Sequence, residues 1–306
     1  MRRTKARLLV PAVAAILVMS LAPARASGPS TGTVAGGSPP IQVVAAEDVY
    51  GDLARRLGGP HVVVTSILSN PDQDPHLFEV SPSIARAVAG ADIVIANGIG
   101  YDPWMATLIS ASRRTPRHLV VIADLAGRHA GDNPHLWYDP SVIPVYARSL
   151  SGLLATRDPA DAADYAIRLD ATLAAIAPVA AKVAAMRKHL AGLPVTATEP
   201  VFGEMASALG LDMRDQRFQL AVMNDTEPAV SDVAAMETDL RQHRVRLLIT
   251  NSQASDSAAR RLQGIAAQAG VPTVGVTETE PRGLDYTGWM LGQLDAIDHA
   301  LSSPHS

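Results

Sequence analysis

The 306-residue sequence contains no cysteine. Disulfide bonds are therefore excluded, and so is any metal site built on thiolate ligands. A chain of this length can hold a hydrophobic core without disulfide bonds. The lack of cysteine also removes the residue that carries a thioether-linked lipid in exported lipoproteins, so we expect no lipid anchor.

Aromatic residues and charge of one sign are also scarce. Aromatics make up 4% of the chain, and the formal net charge is −4 at pH 7. A chain this near neutrality lacks the electrostatic footprint of proteins that bind nucleic acid or anionic lipid, so we expect neither partner. Ala, Val and Leu fill most apolar positions, which favours helices packed on parallel strands over an all-β sandwich.

A hydrophobic run at the N-terminus is typical of a targeting signal. Basic residues precede an apolar stretch of about 15 residues, and the small-x-small pattern Ala24-Arg25-Ala26 follows. The run is shorter than the roughly 20 residues that a transmembrane helix needs. We expect a signal peptide at residues 1–26, a disordered Gly/Ser/Pro-rich lead-in at residues 27–40, and no later segment that could span a membrane.

Short apolar runs alternate with helical patterns along most of the remaining chain. Runs that are apolar throughout, separated by helices, indicate parallel strands buried on both faces of a sheet. The predicted strands are residues 41–46, 61–68, 93–96, 119–122, 195–197, 246–249 and 273–276. The predicted helices are residues 49–57, 82–89, 201–209, 230–243, 257–269 and 286–301.

Residues 159–190 break this alternation. Tyr165, Leu169 and Leu173 begin an apolar series at helical spacing, which predicts one long helix with a possible bend at Pro178. The sequence therefore predicts an α/β fold of two lobes, each with a mostly parallel sheet flanked by helices, joined by this long helix. The predicted boundaries are 41–158 for the N-terminal lobe, 159–191 for the linking helix and 192–306 for the C-terminal lobe.

Two loops that follow predicted strands share the pattern Pro-His-Leu-aromatic. One contains His76 in the sequence PHLF, and the other contains His135 in the sequence PHLW. The proline stiffens the backbone before the histidine, and the apolar residues bury the segment beside it, which pre-organises an imidazole for metal binding. Binding sites in open α/β sheets lie at such strand ends. We therefore predict that both histidines are metal ligands.

Two strand-end loops of the second lobe carry carboxylates. Glu199 follows the first predicted strand of that lobe, and Glu278 and Glu280 follow its last strand. Each glutamate also fits an ordinary helix-capping or loop role, because Thr-Glu-Pro is common loop chemistry. The residues alone leave both roles open.

With these loops identified, the chain resembles the solute-binding proteins of zinc and manganese ABC importers, the ZnuA/TroA-like family. The resemblance covers essentially the whole mature chain. It rests on DPHLFE from Asp74, on NPHLW from Asn133 and, more weakly, on the pair Glu227-Pro228. It implies two α/β lobes bridged by a single rigid helix. The implied metal ligands are His76, His135, Glu199 and Glu278, with Glu280 as the alternative to Glu278.

The resemblance implies a binding protein rather than an enzyme. Its expected cargo is one Mn2+ or Zn2+ ion, its expected partner is the membrane permease of an ABC importer, and we expect a monomer. Glu199 stands where zinc-type members carry histidine, and the loop before His135 lacks their His-rich insertion. Both features favour manganese, whereas intrinsic affinities favour zinc, so the metal stays open. An exported receptor without a lipid anchor needs an outer membrane to retain it, so we expect a periplasmic location.

Two other functions stay open on the residues alone. A His/carboxylate site with a free position could activate water for hydrolysis, with Asp48, Glu79 or Asp139 as the base. The sequence contains no HExxH, which argues against a metallohydrolase of that class. The second alternative is a metal-binding surface adhesin, and the lack of a lipid-anchor cysteine argues against it.

Overall fold

The structure is a computed structural model. It describes residues 39–72, 75–112, 118–224, 226–254 and 257–302, without the side chain of His76. The predicted signal peptide and nearly all of the predicted lead-in lie outside the described residues.

Four parallel strands form the sheet of the first lobe, in the order β2-β1-β3-β4. The alternate residues Val43 and Ala45 of β1 join one apolar cluster, and Val44 and Ala46 join another. Both faces of the sheet are therefore covered, which explains why residues 43–46 of β1 are apolar on both sides of the strand. The strands are β1 (Ile41–Glu47), β2 (Val62–Leu68), β3 (Ile93–Ala96) and β4 (His118–Val121).

The second lobe repeats this arrangement, with four parallel strands in the order β6-β5-β7-β8. Its strands are β5 (Pro194–Ala197), β6 (Asp212–Met213), β7 (Leu248–Asn251) and β8 (Thr273–Val276). The sequence did not predict β6, which is only two residues long. The predicted strand at residues 246–249 begins two residues too early, because the buried Val245 and Leu247 extend the apolar run ahead of the strand.

Eleven helices surround the two sheets in the described part of the chain. They are α1 (Asp48–Gly58), α2 (Pro82–Gly90), α3 (Pro103–Ala111), α4 (Ile122–Leu125), α5 (Val142–Arg157), α6 (Ala162–Leu190), α7 (Gly203–Leu209), α8 (Gln216–Met223), α9 (Val230–Arg241), α10 (Ser257–Ala269) and α11 (Tyr286–Ser302). The sequence did not predict α3, α4, α5 or α8. In α5, Pro144 lies in the first turn, where a backbone N–H has no partner within the helix, so the proline does not prevent helix formation.

The long helix α6 connects the lobes, as predicted, and Pro178 lies within it. Its residues contact α1 and α5 of the first lobe and α7 and α11 of the second. By length and apolar composition alone, Pro159–Leu190 could also cross a membrane. We expected no segment after the N-terminal apolar run to be long and apolar enough to span a membrane, and this expectation is wrong. The many alanines of the helix raise its hydropathy. The predicted α/β fold of two lobes joined by a long helix is confirmed.

Candidate metal centre

The carboxyl ends of the strands in both lobes hold the residues that the sequence analysis selected. His135 lies in the loop between α4 and α5, Glu199 lies two residues after β5, and Glu278 lies two residues after β8. The backbone of His76 forms part of a 3-10 turn at Pro75–Leu77, after β2. The structure brings His135, Glu199 and Glu278 together, while the side chain of His76 lies outside its described part.

His135 is fully buried, and its surroundings fix which ring nitrogen carries a proton. Its Nδ1 lies 2.8 Å from Oδ1 of Asn133. Nδ2 of Asn133 donates to the carbonyl oxygen of Pro200 at 2.7 Å, which fixes the orientation of the amide. Because Oδ1 can only accept, Nδ1 of His135 must donate. Nε2 of the neutral ring is therefore left with its lone pair available to a metal ion.

That lone pair faces a carboxylate from the other lobe. Nε2 of His135 lies 3.3 Å from Oε2 of Glu278, and both side chains are buried. Two acceptor atoms at this distance repel each other unless a proton or a cation lies between them. This pair of donor atoms, one imidazole nitrogen and one carboxylate oxygen, suits a borderline or hard divalent metal ion.

Glu199 and Glu278 are held together by one amide. Nδ2 of Asn251, at the end of β7, donates to Oε1 of Glu278 at 2.6 Å and to Oε2 of Glu199 at 3.0 Å. The two glutamates are 7% and 2% exposed, respectively. Two carboxylates this close in a buried place repel each other, and a bound dication offsets that repulsion by neutralising both charges.

Aromatic side chains enclose the cluster. The hydroxyl of Tyr101 donates to Oε2 of Glu278 at 2.8 Å, the same oxygen that faces His135. The ring centroid of Trp137 lies 5.4 Å from that of His135 and 4.9 Å from that of Tyr101, in both cases edge to face. These rings keep water from the inner side of the site and strengthen electrostatic interactions within it.

Glu280, the alternative ligand, lies in different surroundings. Its backbone N–H donates to Oδ2 of Asp48 at 3.0 Å, and its Oε1 is buried without a hydrogen-bond partner in the described part of the chain. Burial, followed by the negative charge of Asp48, raises the pKa of Glu280 to about 9. The structure thus places Glu278, rather than Glu280, against His135.

A further buried acid ends β1. Both carboxylate oxygens of Glu47 are buried without a hydrogen-bond partner among the described residues. Burial, followed by repulsion from Asp102 and Asp48, raises the pKa of Glu47 well above its ordinary value. Burial therefore favours the protonated, uncharged form of this side chain over the carboxylate.

The sequence analysis missed three residues that position the carboxylates. Tyr101 and Asn251 bind the carboxylates directly, and Oε1 of Gln253 accepts from the backbone N–H of Glu278. The predicted strand ended at residue 249, which hid the fact that Asn251 stands at a strand end. Tyr101 had no local signal, because its partner lies 177 residues away in the sequence.

A second group of possible ligands lies elsewhere in the described part of the chain. Atoms of His61, Asp158 and Asp161 lie within 4.8 Å of one another. His61 directly precedes β2, whereas the residues of the main cluster follow strands, so the group belongs to the amino edge of the first sheet. It is partly exposed and provides a control for the experiments below.

The fold and the buried cluster of imidazole and carboxylates define a binding protein of two α/β lobes with its candidate site between them. A family model described as "ZnuA: Zinc-uptake complex component A periplasmic" matches residues 43–300, and the chain belongs to this family. The family resemblance that we predicted from the loop motifs is confirmed.

Individual relatives agree with this assignment. The metal ABC transporter substrate-binding lipoprotein SloC of Streptococcus mutans is 23% identical, over 86% of this chain and 90% of its own length. The manganese ABC transporter substrate-binding lipoprotein PsaA of Streptococcus anginosus is 22% identical, over 86% of this chain and 89% of its own length. The periplasmic zinc binding protein TroA of Treponema pallidum shares the fold, with a TM-score of 0.72 and 17% identity over 87% of this chain and 100% of that structure.

Proposed function

We propose that the protein captures one divalent transition-metal ion, Mn2+ or Zn2+, between its lobes and delivers it to the membrane permease of an ABC importer. The proposed ligands are His76 and His135 from the first lobe and Glu199 and Glu278 from the second. The observation that carries this proposal is the buried contact between Nε2 of His135 and Oε2 of Glu278, which needs a cation or a proton to be stable.

Family membership supports the transport role. The relatives SloC and PsaA are named as substrate-binding proteins of metal or manganese ABC transporters, and TroA is named as a zinc-binding protein. Two imidazoles and two carboxylates suit either metal, because carboxylates bind through one or both oxygens and allow four to six bonds. Binding without catalysis is the role that this family context favours over hydrolysis or adhesion.

The proposed location is the periplasm, reached through cleavage of the signal peptide at residues 1–26. The relatives SloC and PsaA are named as lipoproteins. The present sequence contains no cysteine to carry a thioether-linked lipid, and we propose that its mature chain is free. The proposed lobes span residues 41–158 and 192–306, with residues 159–191 as the linker.

Metal analysis by ICP-MS tests the proposal. Protein purified without chelators from the exported fraction should contain about one manganese or zinc ion per chain. The variants His76→Ala, Glu199→Ala and Glu278→Ala should each lose most of it. The control His61→Ala should keep it, because that residue belongs to the separate, partly exposed group. A metal-free wild type, or metal lost only in the control, would contradict the proposed function.

A further inference from the structure

The side chain of Asn133 contacts both lobes at once. Its Oδ1 accepts from Nδ1 of His135 at 2.8 Å and from the backbone N–H of the same residue at 3.1 Å. Its Nδ2 donates to the carbonyl oxygen of Pro200 at 2.7 Å. Pro200 directly follows Glu199, the proposed ligand from the second lobe. One amide therefore joins the orientation of a ligand in the first lobe to the backbone beside a ligand in the second.

The second lobe leaves room for this amide at Gly203, the first residue of α7. A Cβ atom built on Gly203 would lie 2.6 Å from Nδ2 of Asn133, well inside van der Waals contact, and outside its own helix Asn133 is the one described residue that it would meet within 4 Å. The backbone of Gly203 is right-handed helical, with φ −61° and ψ −42°. The backbone conformation at this position therefore allows any residue. Glycine is needed because the Asn133 amide leaves no room for a Cβ atom.

Arg128 also links the two lobes close to Asn133. Its Nη2 lies 2.9 Å from Oδ2 of Asp139, in the first lobe, and 2.8 Å from Oε2 of Glu204, in the second. Glu204 is the neighbour of Gly203, so this ion pair lies beside the place where the Asn133 amide meets the second lobe. The contact between the lobes beside His135 and Glu199 is thus stabilised by the hydrogen bonds of the Asn133 amide and by the ion pairs of Arg128.

We propose that Asn133 is a positioning residue that couples metal binding at His135 to closure of the second lobe at Pro200 and Gly203. This inference rests on the proposed function. A metal ion bound to Nε2 holds the orientation of the imidazole, and the imidazole holds the Asn133 amide through the hydrogen bond from Nδ1. The amide in turn holds the backbone of the loop that carries Glu199. Separation of the lobes beside Asn133 must break the amide contact, so Asn133 slows the release of the metal.

The experiment measures metal dissociation by stopped-flow mixing of Mn2+- or Zn2+-loaded protein with excess chelator. Gly203→Ala should accelerate dissociation by about tenfold or more, because its methyl group displaces the Asn133 amide. Asn133→Ala should also accelerate it. The double variant should release metal at the rate of Asn133→Ala alone, because the added methyl group then has nothing to displace. The control Gly292→Ala, in α11, has open space around its Cβ and should behave like wild type.

A merely structural role predicts different results. Alanine is a better helix former than glycine, so metal-free Gly203→Ala should melt at or above the wild-type temperature although it holds metal less well. The inference would be overturned if Gly203→Ala released metal at the wild-type rate. It would also be overturned if adding Gly203→Ala to Asn133→Ala accelerated release as much as it does in the wild type. If the wild type contains metal by ICP-MS, either of these two results overturns the proposed role of Asn133 and leaves the proposed metal-binding function standing. A wild type that binds no metal overturns the proposed function and the inference with it.

Discussion

Nε2 of His135, in the first lobe, lies 3.3 Å from Oε2 of Glu278, in the second. The tautomer set by Asn133 places a lone pair on this nitrogen, and the carboxylate oxygen opposite is also an acceptor. The contact is therefore unfavourable in the neutral-imidazole form and favourable once a metal ion joins the two atoms. If these two atoms bind one metal ion as proposed, both lobes must hold that ion at the same time.

Replacement of Glu278 tests which glutamate binds the metal. Glu278→Gln removes the charge that faces His135, and we expect the Kd for Mn2+ or Zn2+ to rise by more than about 100-fold, beyond the effect of losing an outer-shell partner. Glu280→Gln should change the Kd little, because Glu280 lies against Asp48 and its raised pKa keeps it uncharged at neutral pH. Isothermal titration calorimetry on both variants gives the answer, and the reverse order of effects would favour Glu280 as the ligand.

Gln253 should control the loop that carries His76. Its Nε2 donates to the carbonyl oxygen of Pro71 at 3.1 Å, and its Oε1 accepts from the backbone N–H of Glu278, so it ties two proposed ligand loops from different lobes. We expect Gln253→Ala to accelerate metal dissociation by about tenfold in stopped-flow chelator experiments.

The control for that experiment is an exposed ion pair on the same loop. Arg282 lies 2.7 Å from Asp72, and their side chains are 72% and 75% exposed. Solvent screens such a pair, so Arg282→Ala should change the dissociation rate by less than about twofold. Equal acceleration in both variants would show that the partly buried amide of Gln253 has no special part in holding the loop.

Glu47 should make the metal-free protein less stable as pH rises. Its pKa is raised in the folded state, so above the unfolded value near 4.5 the unfolded chain releases a proton that the folded chain retains. The free energy of unfolding then falls by roughly 1.4 kcal/mol per pH unit until the folded pKa is reached. Glu47→Gln has no proton to release and so removes this pH dependence. The free energy of unfolding of the variant, relative to that of the wild type, should therefore be larger at pH 8 than at pH 4.5.

Urea denaturation at the two pH values measures this difference. Glu227→Gln, at an exposed position, serves as the matched control and should show no such trend. A constant stability difference between Glu47→Gln and wild type across the pH range would mean that Glu47 is ionised in the folded protein.

Metal affinity should fall as the solution is acidified. Each imidazole ligand must be unprotonated to bind, so protons compete with the metal for the ring nitrogen as the pH falls. We expect the Kd to rise by about tenfold to a hundredfold between pH 7.5 and pH 5.5, with a smaller rise in His135→Ala. Competition titrations with a fluorescent chelator measure this, and a Kd independent of pH would exclude imidazole ligands.

Strong local patterns made most of the fold predictable. The apolar run of β1 and the helical repeat of α6 stand out from their neighbours, and both elements lie where the sequence placed them. Helix α5 was not predicted, and β6 was missed because two residues form no pattern. Their conformations depend on packing against distant parts of the chain.

The sequence singled out candidate residues only where a proposed ligand stands in a recognisable motif. The repeated PHL pattern pointed to His76 and His135, and the family resemblance pointed to Glu199 and Glu278, with Glu280 as the alternative. Local sequence carries no sign that Asn133 would meet Pro200 or that Tyr101 would meet Glu278. Those contacts arise only when the two lobes come together.

Anomalous diffraction from crystals of the metal-loaded protein, recorded at the absorption edge of manganese or zinc, tests the central claim most directly. We predict one peak per chain, about 2.0–2.3 Å from Nε2 of His135 and from carboxylate oxygens of Glu199 and Glu278, with His76 completing the set. A peak confined to the group around His61, or no peak in fully loaded crystals, would contradict the assignment of the site.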